Sequence, residues 1–288
     1  ALFVLESLLD KSMLRTLSGT DDDPRFGMYL SLQVYASEKL ALSGAVLDPR
    51  TGDSLTGPEA LRAVEERHGR WFAECGVEDF LDTVLPGQHL WERDTLLAAA
   101  ERAVERGDPE VAAAAARSAC KIFMRRGPLA SGTRLARAVL EMDGHAPAQR
   151  LELLSDEAFL LRAAGHLDDA AVLLDEGIRL ARTLQVPSRE AALLGELGAV
   201  LRVQGQLGRS RKVYTRACEL AKEDDNRKLL GRLIAFRGDL DRMQGRWDTA
   251  LRHYGQAMAI AEQVGDRRWE AMTLTNLANL TNLTNLTN

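Results

Sequence analysis

The sequence predicts an all-α fold, a solenoid of stacked helical hairpins, and two observations carry that prediction. One pattern returns at a spacing of forty residues: Gly165-His166-Leu167-Asp168-Asp169-Ala170, then Gly205-Gln206-Leu207-Gly208-Arg209-Ser210, then Gly245-Arg246-Trp247-Asp248-Thr249-Ala250. Other positions keep the same register: Leu154, Leu194, Ile234 and Leu274; Leu180, Leu220 and Ile260; Ala181, Ala221 and Ala261. A fixed period of this size marks a stacked array, not one globular core. From Pro58 onward, moreover, the pattern is almost wholly helical.

Composition narrows the function classes. The chain has 288 residues, 45% hydrophobic and 27% charged, which fits a folded protein. Its net charge of −5 gives no general attraction to nucleic acid or anionic membrane. No apolar run reaches the roughly 18–20 residues of a membrane span. Ala1-Leu2-Phe3-Val4-Leu5-Glu6 has no basic region ahead of an apolar one, so it is no signal peptide. The missing initiator Met suggests a fragment of a longer chain. Cys75, Cys120 and Cys218 are sparse and far apart, arguing against disulfides and zinc and for small buried hydrophobes in a reducing cytoplasm.

In chain order, Leu5, Leu8 and Leu9 mark a short amphipathic helix from about Val4 to Leu14. Two extended runs around the polar turn Ser18–Asp23 predict a hairpin, and Leu32, Tyr35, Ala36 and Leu40 predict a helix from Ser31 to Leu42. Residues 45–58 are rich in Gly, Pro and Asp and read as a linker loop. Residues 59–150 read as degenerate helical repeats. Their helices run from Glu59 to Glu74, from Leu90 to Arg106, from Pro109 to Arg126 through the alanine run Ala112–Ala116, and from Leu129 to Met142. Asp108 can cap and Pro109 suits a first helical turn. Residues 151–288 read as regular repeats that break register after Leu280, where Asn-Leu-Thr recurs. Leu every third residue drifts off a helix face, so the tail reads as a truncated helix ending in low complexity.

The regular part resembles the tetratricopeptide repeat (TPR): Gly-x-aromatic/Leu-x-x-Ala at the turn, and a small residue on the first helix at Ala158, Gly198, Gly238 and Ala278. The resemblance implies a right-handed superhelix. Its usual period is about 34 residues, and the extra residues are expected between repeats, at Thr183–Arg189, Glu223–Arg227 and Gln263–Arg267.

Residues 1–44 resemble a second family. Leu5-Glu6-Ser7-Leu8-Leu9-Asp10-Lys11-Ser12-Met13-Leu14, Arg25-Phe26 and Tyr35-Ala36-Ser37-Glu38-Lys39-Leu40 are similar to the end of the winged-helix domain in STAND-type signalling ATPases. The bacterial NB-ARC branch, with AfsR-like and MalT-like regulators, is meant. That resemblance implies an ATPase domain upstream in the same chain and a helical-repeat sensor that relays a signal through the winged helix. The family's Met-His-Asp is replaced by Met28-Tyr29-Leu30, so no nucleotide contact is carried over, and no cofactor is expected. Glu66-Arg67-His68-Gly69-Arg70-Trp71-Phe72 also matches the family, with His68 in a packing or capping role. Without a basic stripe, the winged-helix part is not expected to bind DNA.

No Walker loop, His-Glu-x-x-His, Gly-x-Ser-x-Gly or paired-carboxylate motif is present, so no enzyme activity is expected of this stretch. The candidate site is instead a column. Arg162, Arg202 and Arg242 share one register position, which in TPR folds lines the concave groove. Three stacked guanidinium groups suit an acidic or phosphorylated protein or peptide ligand. The plainer alternative pairs each with a neighbouring acid such as Glu196 or Asp239. Phe159 and Met243 are further groove candidates, with core packing the favoured alternative, and Trp247 reads as packing. The expected function is a sensor arm of a signalling ATPase; the alternative is an adaptor that scaffolds partners without an ATPase.

Overall fold

The computed structural model describes residues 2–20, 23–48, 51–74 and 89–287, so the turn residues Asp21 and Asp22 and the expected buried Cys75 lie outside the described residues. The chain divides into two compact units, Ala1–Trp71 and Phe72–Asn288.

In the first unit, α1 (Leu2–Asp10) leads into an antiparallel hairpin of β1 (Leu14–Thr20) and β2 (Asp23–Met28), followed by α2 (Leu30–Leu42). Leu14 faces Met28 and Thr16 faces Phe26 across the ladder. The helix–hairpin–helix order expected from the sequence is therefore present. The stretch expected as a linker loop is not irregular throughout. It folds back as β3 (Ala45–Leu47) against β4 (Ser54–Thr56), with Val46 opposite Leu55. Gly52 turns the ribbon at φ +78°, a conformation that glycine adopts without steric cost. Then α3 runs from Pro58 to Glu74.

The second unit is a helical solenoid. Its helices are α4 (His89–Arg106), α5 (Pro109–Arg126), α6 (Leu129–Leu140), α7 (Pro147–Ala164), α8 (Leu167–Thr183), α9 (Pro187–Val203), α10 (Leu207–Glu223), α11 (Arg227–Met243), α12 (Trp247–Val264) and α13 (Arg267–Thr287). Each packs on the next, and α5, α7, α9 and α11 also touch their counterparts in the following hairpin. These first helices form the more closely stacked layer, termed the inner layer. Helix starts at Pro147, Pro187, Arg227 and Arg267, and at Leu167, Leu207 and Trp247, keep the forty-residue period.

The extra residues are not in loops. Helices α8, α9, α10 and α11 each have 17 residues, and α8 is joined to α9 by residues 184–186 alone. Length has gone into the helices, where each added residue gains a backbone hydrogen bond. The joints are equally regular. After each first helix a glycine takes positive φ, +88° at Gly165, +75° at Gly205 and +71° at Gly245. The residue beyond it bonds back across the turn, His166 N to Leu161 O at 2.9 Å and Gln206 N to Leu201 O at 2.8 Å. This is the left-handed cap that closes a helix C-terminus. Between hairpins the same role falls to Gln185 (φ 55°), Asp225 (φ 47°) and Gly265 (φ 69°).

The hairpins close at one crossing point. A Cβ on Gly198 would lie 2.5 Å from Tyr214 Cε1, and one on Gly238 would lie 2.7 Å from Tyr254 Cε1. Where the small position is Ala158, the residue equivalent to Tyr214 is Leu174; all four are buried in their hairpins. Residues 109–140 follow the same plan at a spacing of 38, with Cys120 at the small position and Ala136 opposite. Cys120 Sγ lies 3.7 Å from Gly132 O, and at the equivalent place two repeats on Ser210 Oγ donates to Gly198 O at 2.8 Å. In this hairpin the close approach is Gly132 against Phe123, where an added Cβ would lie 3.0 Å from Phe123 Cβ, so the first helix again supplies or receives the bulk as the second requires.

One hairpin departs from the apolar pattern. Asp241 stands where other hairpins have Leu161 and Leu201, and it is fully buried. It accepts from Arg211 Nη2 at 2.8 Å, from Arg246 Nη2 at 2.8 Å and from His253 Nδ1 at 2.8 Å. These donors balance a charge that would otherwise be costly in the interior.

Two outcomes test this account. Gly198→Ala is expected to cost about 2 kcal/mol through overpacking, with Gly198→Ala/Tyr214→Leu recovering more than half, as read from urea unfolding. Gln185→Gly removes the steric cost of a left-handed L-residue, about 1–2 kcal/mol, against a glycine entropy cost of about 0.5–1 kcal/mol. A rise in melting temperature is therefore expected; a fall would contradict the role assigned to this joint.

Candidate functional site

The inner layer is built from first helices whose packed face is occupied by the crossing residues, leaving the opposite face free for polar side chains. The predicted column lies there, but its members differ. Arg162 Nε donates to Glu196 Oε2 at 3.1 Å, and its guanidinium lies 4.9 Å over the Phe159 ring. Phe159 and Arg162 are thus brought together, and the plainer pairing with an acid holds at this position. Arg202 has no such acid. Its Nη1 lies 3.6 Å from Met243 Sδ, and its Nε is buried with no hydrogen-bond partner. Arg242 is exposed beside the Tyr254 hydroxyl. Asp239 does not pair with an arginine of the column; it accepts from Tyr254 Oη at 2.6 Å. Val203, 56% exposed, and Met243, 47% exposed, form the apolar part of this face.

Sequence reasoning missed the N-terminal share of the face. On α5, Arg117 Nη2 bonds Glu152 at 3.0 Å and Lys121 Nζ bonds Asp156 at 2.6 Å, while Arg125 is exposed. Arg189 adds a second bridge to Glu152 at 2.7 Å. The signal was present but displaced, because the α5 hairpin is 38 residues ahead of its neighbour, not forty. At the other end, Arg232 bonds Asp266 at 3.0 Å and stacks 5.3 Å over Trp269. Burial raises the Asp266 pKa, but the Arg232 hydrogen bond, the Trp269 backbone N–H and the charges of Lys228 and Arg232 together outweigh it, leaving the carboxyl below its ordinary value.

Between these ends lies an aromatic ladder. Phe236 is 5.9 Å from Tyr214 and 5.6 Å, edge-on, from Trp269. Burial pushes the Tyr214 phenol up to about 12 despite the neighbouring Arg202. No group of three or more His, Cys, Asp or Glu among the described residues is placed to hold a metal ion. No helix among them is long and apolar enough to cross a membrane. Cys120 and Cys218 are buried free thiols, their pKa values raised by burial.

Residues 229–285 match the tetratricopeptide repeat family model. A search of curated proteins finds no sequence match. Among solved structures, the chain is similar to aspartyl phosphate phosphatase F from Bacillus subtilis, at 14% identity and TM-score 0.58, over 97% of this chain and 64% of that one. It is similar to a Signal Transduction ATPase with Numerous Domains (STAND) protein with a tetratricopeptide repeat sensor from Pyrococcus horikoshii, at 13% identity and TM-score 0.54, over 98% of this chain and 43% of that one. PlcR from Bacillus thuringiensis, solved in complex with a peptide and DNA, gives 10% identity and TM-score 0.53, over 73% of this chain and 74% of that one. The chain thus spans less than two thirds of the phosphatase and less than half of the STAND protein. These likenesses establish a TPR-like α-solenoid.

The buried acid Glu157 provides a check on the electrostatics. Burial raises its pKa above the ordinary 4.5, with Arg137, at 3.2 Å, pulling the other way. A carboxyl whose folded pKa is raised contributes stability below its unfolded pKa and loses it as pH rises through the folded value. Glu157→Gln should therefore be more stable than the parent at pH 7, and the advantage should shrink toward pH 4 in urea titrations.

Proposed function

We propose that this chain is a non-catalytic sensor arm whose concave face binds a protein or peptide segment with acidic character. The observation that carries the reading is the row of basic side chains on the inner layer, Arg125, Arg162, Arg202 and Arg242, interleaved with exposed Val203 and Met243. Helix packing requires none of these, and charged forks beside apolar contacts are how such surfaces combine orientation with affinity. The likeness in fold to a STAND protein with a TPR sensor, over nearly the whole chain, supports coupling to an ATPase. On that reading residues 1–44 are the end of a winged helix, residues 45–58 a connection and residues 59–288 the repeat sensor, acting in the cytoplasm. Ligand binding shifts a two-state balance by its differential affinity for the two states. The second reading is an adaptor that scaffolds partners without an ATPase, which the match to the repeat family over residues 229–285 would serve equally well.

A Gly-x-x-x-x-Gly-Lys-Ser/Thr loop encoded upstream in the same reading frame supports the switch, and a different domain there supports the adaptor. For the binding face, the full chain and its Arg162→Ala/Arg202→Ala/Arg242→Ala variant are compared as bait. Partners captured by the parent should be lost at least about tenfold from the variant at unchanged helicity, in line with the loss of several charge-assisted contacts. Equal capture would place the binding surface elsewhere.

A further inference from the structure

Around Arg202, at the end of α9, two acids found at equivalent places in the stack are missing. Along the inner layer, Arg162 reaches the residue 34 positions ahead and finds Glu196. The same step from Arg202 leads to Phe236, which is turned into the aromatic ladder with Tyr214 and Trp269. In the following hairpin the Tyr254 hydroxyl donates to Asp239. The equivalent of Asp239 behind Tyr214 is Ala199. As a result Tyr214 Oη and Arg202 Nε lie buried beside each other, with the hydroxyl against the guanidinium and neither bonded to a carboxylate. Arg117 and Arg232 also have an unpartnered Nε, but each holds a carboxylate through Nη2. Arg237 is another, at a core register next to Cys218. Among the described residues, no salt bridge joins α9 to α11, whereas such bridges join α5 to α7 and α7 to α9.

Buried donors without acceptors are uncommon and call for a partner. Here the partner called for is an anion, since the guanidinium is a cation and the neutral hydroxyl beside it leaves that charge unbalanced. The other group on Arg202 is the Met243 thioether at 3.6 Å, a weak acceptor on a flexible side chain that is half exposed and can swing aside. Val203 and Met243 flank the position with apolar surface.

We infer that Arg202, backed by Tyr214, forms a subsite that takes the side-chain carboxylate of a Glu or Asp from the bound peptide, with aliphatic residues beside that acid resting on Val203 and Met243. The ligand supplies from outside what Glu196 and Asp239 supply internally in the adjoining hairpins. Arg162, already paired, is not part of this subsite. The inference rests on the reading of the concave face as a peptide-binding surface.

The test uses the full chain and two fluorescein-labelled peptide pools, both with amidated C-termini. One has a fixed central Glu between positions mixed from Leu, Met and Val; the other has Gln at the centre. By fluorescence polarisation the parent should bind the Glu pool at least about tenfold more tightly, the scale of one charge-assisted fork. Arg202→Gln should remove the preference, and Arg162→Gln should keep it. Tyr214→Phe should weaken it several-fold. Phe236→Glu, which provides an internal acid at the register of Glu196, should close the subsite; circular dichroism would show that each variant remains helical. A Glu preference that survives Arg202→Gln, or none in the parent, overturns the assignment. If the parent still captures partners through its arginine face but shows no Arg202-dependent preference for Glu, the subsite is refuted and the broader reading stands. If the arginine variant captures partners as well as the parent does, the broader reading falls as well.

Discussion

The structure depends on a steric complement at the point where the two helices of a hairpin cross. Bulk on one helix is matched by its absence on the other: Gly198 with Tyr214, Gly238 with Tyr254, Ala158 with Leu174, and, in the first of these hairpins, Phe123 with Gly132. The large member changes sides while the fit is kept, as close packing requires. Because this contact fixes how the first helix is rotated, it also fixes which of its residues face inward along the curve. The arginines of the inner face owe their alignment to glycines and alanines on the other side of the same helices.

The seams between hairpins are of two chemical kinds. From α5 to α9 they are laced by ion pairs, Arg117–Glu152, Lys121–Asp156 and Arg162–Glu196. From α9 onward aromatic rings take over, with Phe236 between Tyr214 and Trp269. Paired charges on a partly exposed face lose strength with salt, whereas packed rings do not. The contact between successive first helices thus changes from ion pairs to rings at α9, although ion pairs such as Arg232–Asp266 recur beyond it.

Much of this was legible in the residues. The turn glycines and the column at Arg162, Arg202 and Arg242 follow from the period alone, since a stacked repeat forces equivalent residues into equivalent places. What was not legible depended on shifts in spacing or on pairing across the stack. The helices α5 and α6 were legible, but their register with the later repeats was hidden because they lie 38 residues from their neighbours and so fall outside the forty-residue period. The ribbon was hidden because its strands, Ala45–Leu47 and Ser54–Thr56, are only three residues each, too short to show an alternation against the Gly and Asp around them. The added length was assigned to loops, although nothing in the sequence at Thr183–Arg189 opposes helix except Pro187, which tolerates a first turn. Whether an arginine finds an acid depends on the residue 34 places on, a step that only the stacked geometry defines. Asp241 at a leucine register was visible as an exception, but its donors, Arg211, Arg246 and His253, come from two other helices and a turn.

The uniform joints have an evolutionary consequence. With a left-handed residue closing every helix at the same phase, residues 187–226 form a unit that could be duplicated whole, carrying both of its turns. In such a lengthened chain the first Arg202 would face the second copy's Glu196 and be neutralised, and only the last copy would still face Phe236. Added units would bring no further arginine without an acid ahead of it. On the proposed reading, the receptive place is thus a property of a boundary between unlike neighbours, and growth of the array would move that place without multiplying it.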